Sequence, residues 1–132
     1  MGLKYLWDTN AVIYYLKKHF PAEQEALMDD IINNFQPAIS IITEIELLCW
    51  KTATENDLTV LHNFISDCAI FNIEQDIKLK TIEIRKNSKL KLPDAIIAAT
   101  AATKGLTLIS RNSSDFSKVK GLEFIDPFIS NP

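Results

Sequence analysis

Glycine is almost missing from this chain: 132 residues hold three, two of them at positions 2 and 121. There is therefore no Gly-rich loop to cradle a phosphate. Cysteine is as scarce, and Cys49 and Cys68 are too few for a disulfide framework. Their apolar neighbours (Leu47, Leu48 and Trp50; Ala69, Ile70 and Phe71) mark both as buried free thiols. The two histidines, His19 and His62, stand in helical segments, and no Ser-His-Asp pattern supports covalent catalysis. Basic residues are not in excess, 14 Lys+Arg against 17 Asp+Glu, a formal charge of −3. That excludes a strongly basic, nonspecific nucleic-acid coat but not a nuclease, because local patches decide phosphate binding. No run approaches the ~20 apolar residues of a membrane span. The N-terminus shows neither a secretory h-region nor, with Leu6 at the sixth position, a myristoylation pattern. A cytoplasmic protein is expected.

What is present suits one domain over residues 1–132, large enough to bury about two-thirds of its unfolded surface. Short apolar runs alternate with segments of helical period. Strands are expected at Leu3–Trp7, Ala38–Ile42, Cys68–Phe71, Leu106–Ile109 and Leu122–Ile125. Helices are expected at Asn10–Lys18, Glu23–Asn34, Thr43–Lys51, Asp57–Ile65, Asp76–Arg85 and Asp94–Lys104. Pro93 suits the first position of the last helix, and Gly105 its left-handed cap. Strands spaced by helices imply an α/β fold on a mainly parallel sheet of four or five strands. In such sheets the ligand crevice lies just past the carboxyl ends of the strands.

Four acids fall at those junctions. Asp8 follows the first strand, where the plain structural role is an N-cap. Glu46 completes Thr43-x-x-Glu46, which reads equally as a capping box or as a carboxylate one turn into a helix leaving the second strand. Asp94 opens a helix whose Ala95, Ala98, Ala99 and Ala102 share one face, allowing close packing and a rigid mount. Asp115 sits in a polar loop after the fourth strand. Each alone is a weak signal, and together they are stronger. Carboxylates without His or Cys partners suit a hard cation, Mg²⁺ or Mn²⁺, rather than zinc.

The segments Asp8-Thr9-Asn10, Ser40-x-x-Thr43-x-x-Glu46-Leu47, Leu92-Pro93-Asp94-Ala95-x-Ile97-Ala98-Ala99 and Ser110-Arg111-Asn112-x-x-Asp115-Phe116 resemble the four motifs of PIN-domain nucleases. The similarity is closest to VapC-like toxins of toxin–antitoxin modules and covers nearly the whole chain in order and spacing. It departs at Trp50, where such toxins commonly carry a small residue, and at Ser110, where Thr is usual. The resemblance implies a three-layer α/β/α sandwich, Mg²⁺-dependent ribonuclease activity, homodimerisation and neutralisation by a cognate antitoxin. It assigns Asp8, Glu46, Asp94 and Asp115 to the metal and catalytic site. Thr9, Asn10, Thr43, Ser110 and Asn112 support them, and Glu46 or Asp115 serves as an outer-sphere base.

For RNA, the candidate positive surface runs through Lys78, Lys80, Arg85, Lys86, Lys89 and Lys91. Its position before Asp94 selects Arg85, Lys89 and Lys91, and Arg111 beside the fourth motif is a further candidate. A haloacid-dehalogenase phosphatase needs an acid where Asn10 stands, and a receiver domain needs an acidic pair that Trp7-Asp8 does not supply. The alternative is a catalytically inactive PIN-like module that binds RNA or a partner. The apolar residues Trp50, Leu58, Val60, Leu61 and Phe64 serve either the core or a partner surface.

Overall fold

The strand order β3-β2-β1-β4-β5, all parallel, defines the architecture in the computed structural model, which describes residues 2–128. In chain order the elements are β1 (Leu3–Trp7), α1 (Thr9–Leu16), α2 (Ala22–Asn34), β2 (Gln36–Ser40), α3 (Ile41–Leu48) and α4 (Glu55–Asp67). There follow β3 (Ala69–Phe71), α5 (Gln75–Asn87), α6 (Leu92–Lys104), β4 (Thr107–Ile109), α7 (Ser113–Phe116) and β5 (Phe124–Ile125). No helix among the described residues is long and apolar enough to cross a membrane.

Alternation along the strands separates two cores. Leu6, Ala38 and Leu108 face one way, onto Ile77, Ile84 and the alanines of α6. Trp7, Ile39 and Ile109 face the other, onto Val12, Met28, Leu47, Leu61 and Phe64. The expected α/β/α sandwich is therefore the observed one, and of the four or five strands expected the sheet has five, all parallel. Trp7 is fully buried and meets Tyr15 and Phe64 edge-on, each at 5.4 Å between centroids. Such pairs each add about 0.5–1.5 kcal/mol beyond area burial. They hold the end of β1, and so hold Asp8 behind it.

Several expectations are corrected. The isoleucine run does not extend β2: Ile41 and Ile42 open α3, and Ser40 caps it by accepting from the Ile42 N–H at 3.1 Å. β2 instead starts two residues earlier and takes in Pro37, which lacks an N–H. The β1–β2 register shifts over this stretch, between Leu3 and Leu6, as a bulge accommodating the proline would require. Leu92 takes the first position of α6, so Pro93 stands second. Cys49 is exposed, because it ends the short α3 while Leu47 takes the buried position. Cys68 is half-buried, and burial pushes its thiol up to about 12. Of the apolar residues around α4, Leu61 and Phe64 fill the core, whereas Leu58 is exposed and Trp50 half-buried.

Gly105 caps α6 at φ 66° and ψ 33°, its N–H donating to the Ala101 carbonyl. A Cβ there would meet nothing within 4 Å, so the cost of Gly105→Ala is conformational alone. We expect about 1 kcal/mol of lost stability, read as a lower urea midpoint at unchanged slope.

Candidate active site

The strand order reverses direction between β1 and β4, and the crevice of a parallel sheet opens there. Trp7 pairs with Ile109 at the ends of these strands, which sets Asp8 beside Ser110. The Ser110 hydroxyl donates to Asp8 Oδ2 at 2.8 Å, and the Thr9 N–H donates to Oδ1 at 2.8 Å. Ser110 Oγ in turn accepts from the Asn112 N–H at 3.0 Å. Asp8 does cap α1, but only through its immediate neighbour; its other oxygen is committed across the crevice. Burial pushes its carboxyl up to about 6, with Asp94 and Glu46 adding to the rise and the two hydrogen bonds opposing it.

Glu46 makes no capping box with Thr43, since the cap of α3 is Ser40 and Thr43 lies buried in the first turn. The box that forms is Thr54-x-x-Asp57, at the start of α4. Glu46 projects toward α1 instead, where the Thr9 hydroxyl donates to its Oε1 at 2.6 Å. The same hydroxyl lies 3.2 Å from that of Thr43. Thr9 thus ties α1 to α3 and fixes one carboxylate oxygen, while Oε2 has no donor among the described residues.

Asp94 stands in the first turn of α6, whose following residues Ala95 to Ala101 are all buried, a rigid mount as the alanine pattern implies. Burial raises its carboxyl affinity for protons; Glu46 and Asp115 raise it further, and Lys91 lowers it. Asp94 and Asp115 both line a cavity of about 560 Å³ that also takes in Lys89, Lys91 and Asn112. Asp8, Glu46 and Asp94 thus lie within electrostatic reach of one another, and Asp115 within reach of Asp94. Among the described residues, no three of them converge closely enough to cage an ion on their own. The donor set is carboxylate oxygen alone, and Asp8 and Asp94 carry charge at a cost that a cation would relieve. Magnesium keeps several waters and needs only one or two protein carboxylates, so these residues fit it.

The supporting residues divide. Thr9, Thr43, Ser110 and Asn112 hold the acids as described, whereas the exposed Asn10 makes no side-chain hydrogen bond among the described residues. Lys89 and Lys91 border the acidic cavity. Arg85 instead donates to the Leu90 carbonyl at 2.6 Å and pins the α5–α6 turn. Arg111 lies over Phe128 at 4.5 Å and donates to the Tyr14 hydroxyl at 2.7 Å, away from that cavity's lining. Sequence reasoning missed Lys118, which lines the cavity with Asp94 and Asp115. Its position, three residues after Asp115, was the available signal.

The PIN domain profile matches residues 5–122. The chain is 32% identical to "Ribonuclease VapC2" of Haemophilus influenzae over 91% of this chain and 95% of that protein. It is 27% identical to the "tRNA(fMet)-specific endonuclease VapC" of Salmonella typhimurium, covering 94% and 98%. Among solved structures it superposes on a toxin–antitoxin complex from Klebsiella pneumoniae with a TM-score of 0.74, 33% identity, and coverage of 94% and 98%. A parallel sheet with carboxylates gathered at its switch point, matched over nearly its whole length, places the chain in the PIN domain family, with relatives of the VapC type.

Proposed function

We propose that this chain is a Mg²⁺-dependent endoribonuclease and the toxin of a toxin–antitoxin pair, acting in the cytoplasm. The observation that carries the reading is Asp8, buried and hydrogen-bonded to Ser110 at the mouth of the crevice, with Asp94 and Glu46 within electrostatic reach. Asp8 and Asp94 would hold the cation, with Asp115 and Glu46 flanking it. Bound there, Mg²⁺ supplies charge neutralisation at the phosphodiester and lowers the pKa of a coordinated water. Manganese is the natural substitute, having the same preference for oxygen.

The chain's own residues do the rest. Ser110 and the Thr9 N–H orient Asp8, so its carboxylate is not free to rotate away. Glu46, steered by Thr9, keeps Oε2 available to take a proton from the attacking water. Lys89 and Lys91 flank the acids and attract the phosphates that the acids alone would repel.

Transfer RNA is the first substrate class to test, following the name of the Salmonella relative. Cleavage should require Mg²⁺ or Mn²⁺ and stop in EDTA. Saturating Mg²⁺ should also raise the melting temperature, because the cation binds only the native arrangement; a hundredfold excess over Kd adds about 2.7 kcal/mol. Asp8→Asn should lose most of that shift. A folded protein that cuts no RNA with either metal and shows no shift is a binding module instead.

The partner proposals rest on exposed apolar side chains. Ile45 and Leu48 on α3 are about half exposed, as are Leu79 and Ile82 on α5. Each pair sits one turn apart, and we assign these faces to homodimerisation and antitoxin binding, in line with the toxin–antitoxin complex that the fold matches. Light scattering that gives a strict monomer at micromolar concentration excludes the homodimer.

A further inference from the structure

The cavity that holds Asp94 and Asp115 does not end at them. Asn87, Ser88 and Lys118 line it, and the same three residues line a second cavity of equal size, about 560 Å³. Lys80, Glu83 and Lys120 complete the polar wall of that second cavity. The two hollows therefore meet along the C-terminal end of α5, with Lys118 at the junction.

The junction has a fixed floor. Asn87 Nδ2 donates to the Glu83 carbonyl at 2.9 Å, and the Ser88 hydroxyl donates to the Ile84 carbonyl at 2.8 Å. Ser88 Oγ also accepts from the Leu90 N–H, and Arg85 donates to the Leu90 carbonyl. Against this pinned turn the charges are unevenly committed. Lys80 is ion-paired with Glu83, so the one acid in the second cavity is already answered. Lys89, Lys91, Lys118 and Lys120 form no ion pair among the described residues, and all four are exposed. Lys120 acts on Glu83 and Lys91 on Asp94 at longer range, without an ion pair. A polar floor bordered by such ammonium groups, leading from a cluster of acids, suits a polyanion that passes the acids and continues.

We infer that the two cavities form one groove carrying the RNA strand away from the acidic centre, its phosphates held by Lys118 at the junction and Lys120 beyond it. This rests on the ribonuclease reading and adds to it a direction for the strand. Arg85 and Arg111 then play no part in that path, being engaged elsewhere.

The test combines salt-dependent RNA binding by the Asp94→Asn protein with steady-state cleavage by the otherwise unaltered chain. Each is measured with and without Lys118→Ala plus Lys120→Ala. Single-stranded RNA releases about 0.7 counterion per phosphate contact, so losing two contacts should make the log–log salt slope shallower by about 1.4. KM for an oligonucleotide long enough to cover both cavities should rise about tenfold, far more than kcat falls. A dinucleotide, too short to reach Lys120, should show a smaller KM change. Lys86→Ala, a neighbouring lysine that lines neither cavity, controls for net charge. Lys118→Gln with Lys120→Gln should repeat the result, and cooperative melting of each variant shows the fold intact.

An unaltered slope and KM in a parent protein that still cleaves RNA overturn the groove and leave the nuclease standing. An unaltered slope with lost binding of an acidic peptide assigns the groove to a protein partner and overturns it equally. A parent that neither binds nor cuts RNA removes the nuclease reading, and the groove with it.

Discussion

Asp8→Asn is expected to yield a protein that no longer cleaves RNA yet melts higher than its parent when metal is absent. The loss of turnover should be on the order of a hundredfold or more, since the substitution removes one negative charge from the proposed cation site. The gain in stability has a separate origin. In the native state the Asp8 carboxyl titrates at about 6, against 3.8 when free, mainly because it is buried. Between those values the folded protein retains a proton that the unfolded chain has released. The contribution of Asp8 to stability is therefore highest below pH 4, declines as pH rises through about 6, and then levels off. The gap corresponds to roughly 3 kcal/mol of destabilisation at neutral pH, about 10 °C in a domain of this size. Asparagine keeps one acceptor oxygen, for either the Thr9 N–H or the Ser110 hydroxyl, so one hydrogen bond is lost and the net gain is smaller than that figure. Parallel melting curves from pH 4 to 8 check this. The difference between parent and variant should grow across pH 4–6; a difference independent of pH would contradict the assignment.

Asp94→Asn should also cut kcat on the order of a hundredfold, with a different accompanying signature. Asp94 is half-buried and accepts no hydrogen bond from the described residues, so less stability is at stake than at Asp8. It does line the cavity shared with Lys89, Lys91 and Lys118. Removing its charge leaves those lysines less opposed, and metal-free RNA binding should tighten several-fold at low salt and converge with the parent at high salt. Fluorescence anisotropy with a labelled oligonucleotide in EDTA reads this directly. Weaker binding by the variant would show that Asp94 contributes affinity by another route.

The two-sided sheet was readable because Leu6–Trp7 and Leu108–Ile109 are adjacent apolar residues flanked by helical periods, a pattern that buries both faces. Asp8 and Asp94 were readable because a carboxylate directly after a strand, or in the first turn of a buried helix, has few places to point. The start of α3 was not. Ile41 and Ile42 have strong strand preference, and a short apolar run does not distinguish a strand's end from a helix's beginning. Ser40, whose hydroxyl accepts from the Ile42 N–H, decides it. Moving the cap from Thr43 to Ser40 removes the capping-box reading of Glu46 and leaves its contact with Thr9 of α1. The roles of the basic residues were hidden for a different reason. Arg85 and Arg111 find acceptors on a neighbouring turn and on Tyr14, and only the fold sets Lys118, close to Asp115 in sequence, on the same cavity as Asp94.

The hydrogen bond between Ser110 and Asp8 joins residues 102 positions apart. β1, which carries Asp8, is the central strand, and its pairing with β4 must wait for residues 107–109. During synthesis the first acid leaves the ribosome long before the serine that orients it, or the aspartate at position 94. A nascent chain thus exposes Asp8 without its crevice, and on the nuclease reading an incomplete polypeptide lacks the cleavage centre. The proposed centre is a property of the finished topology, complete only once β4 has docked against β1 and α7 has followed it.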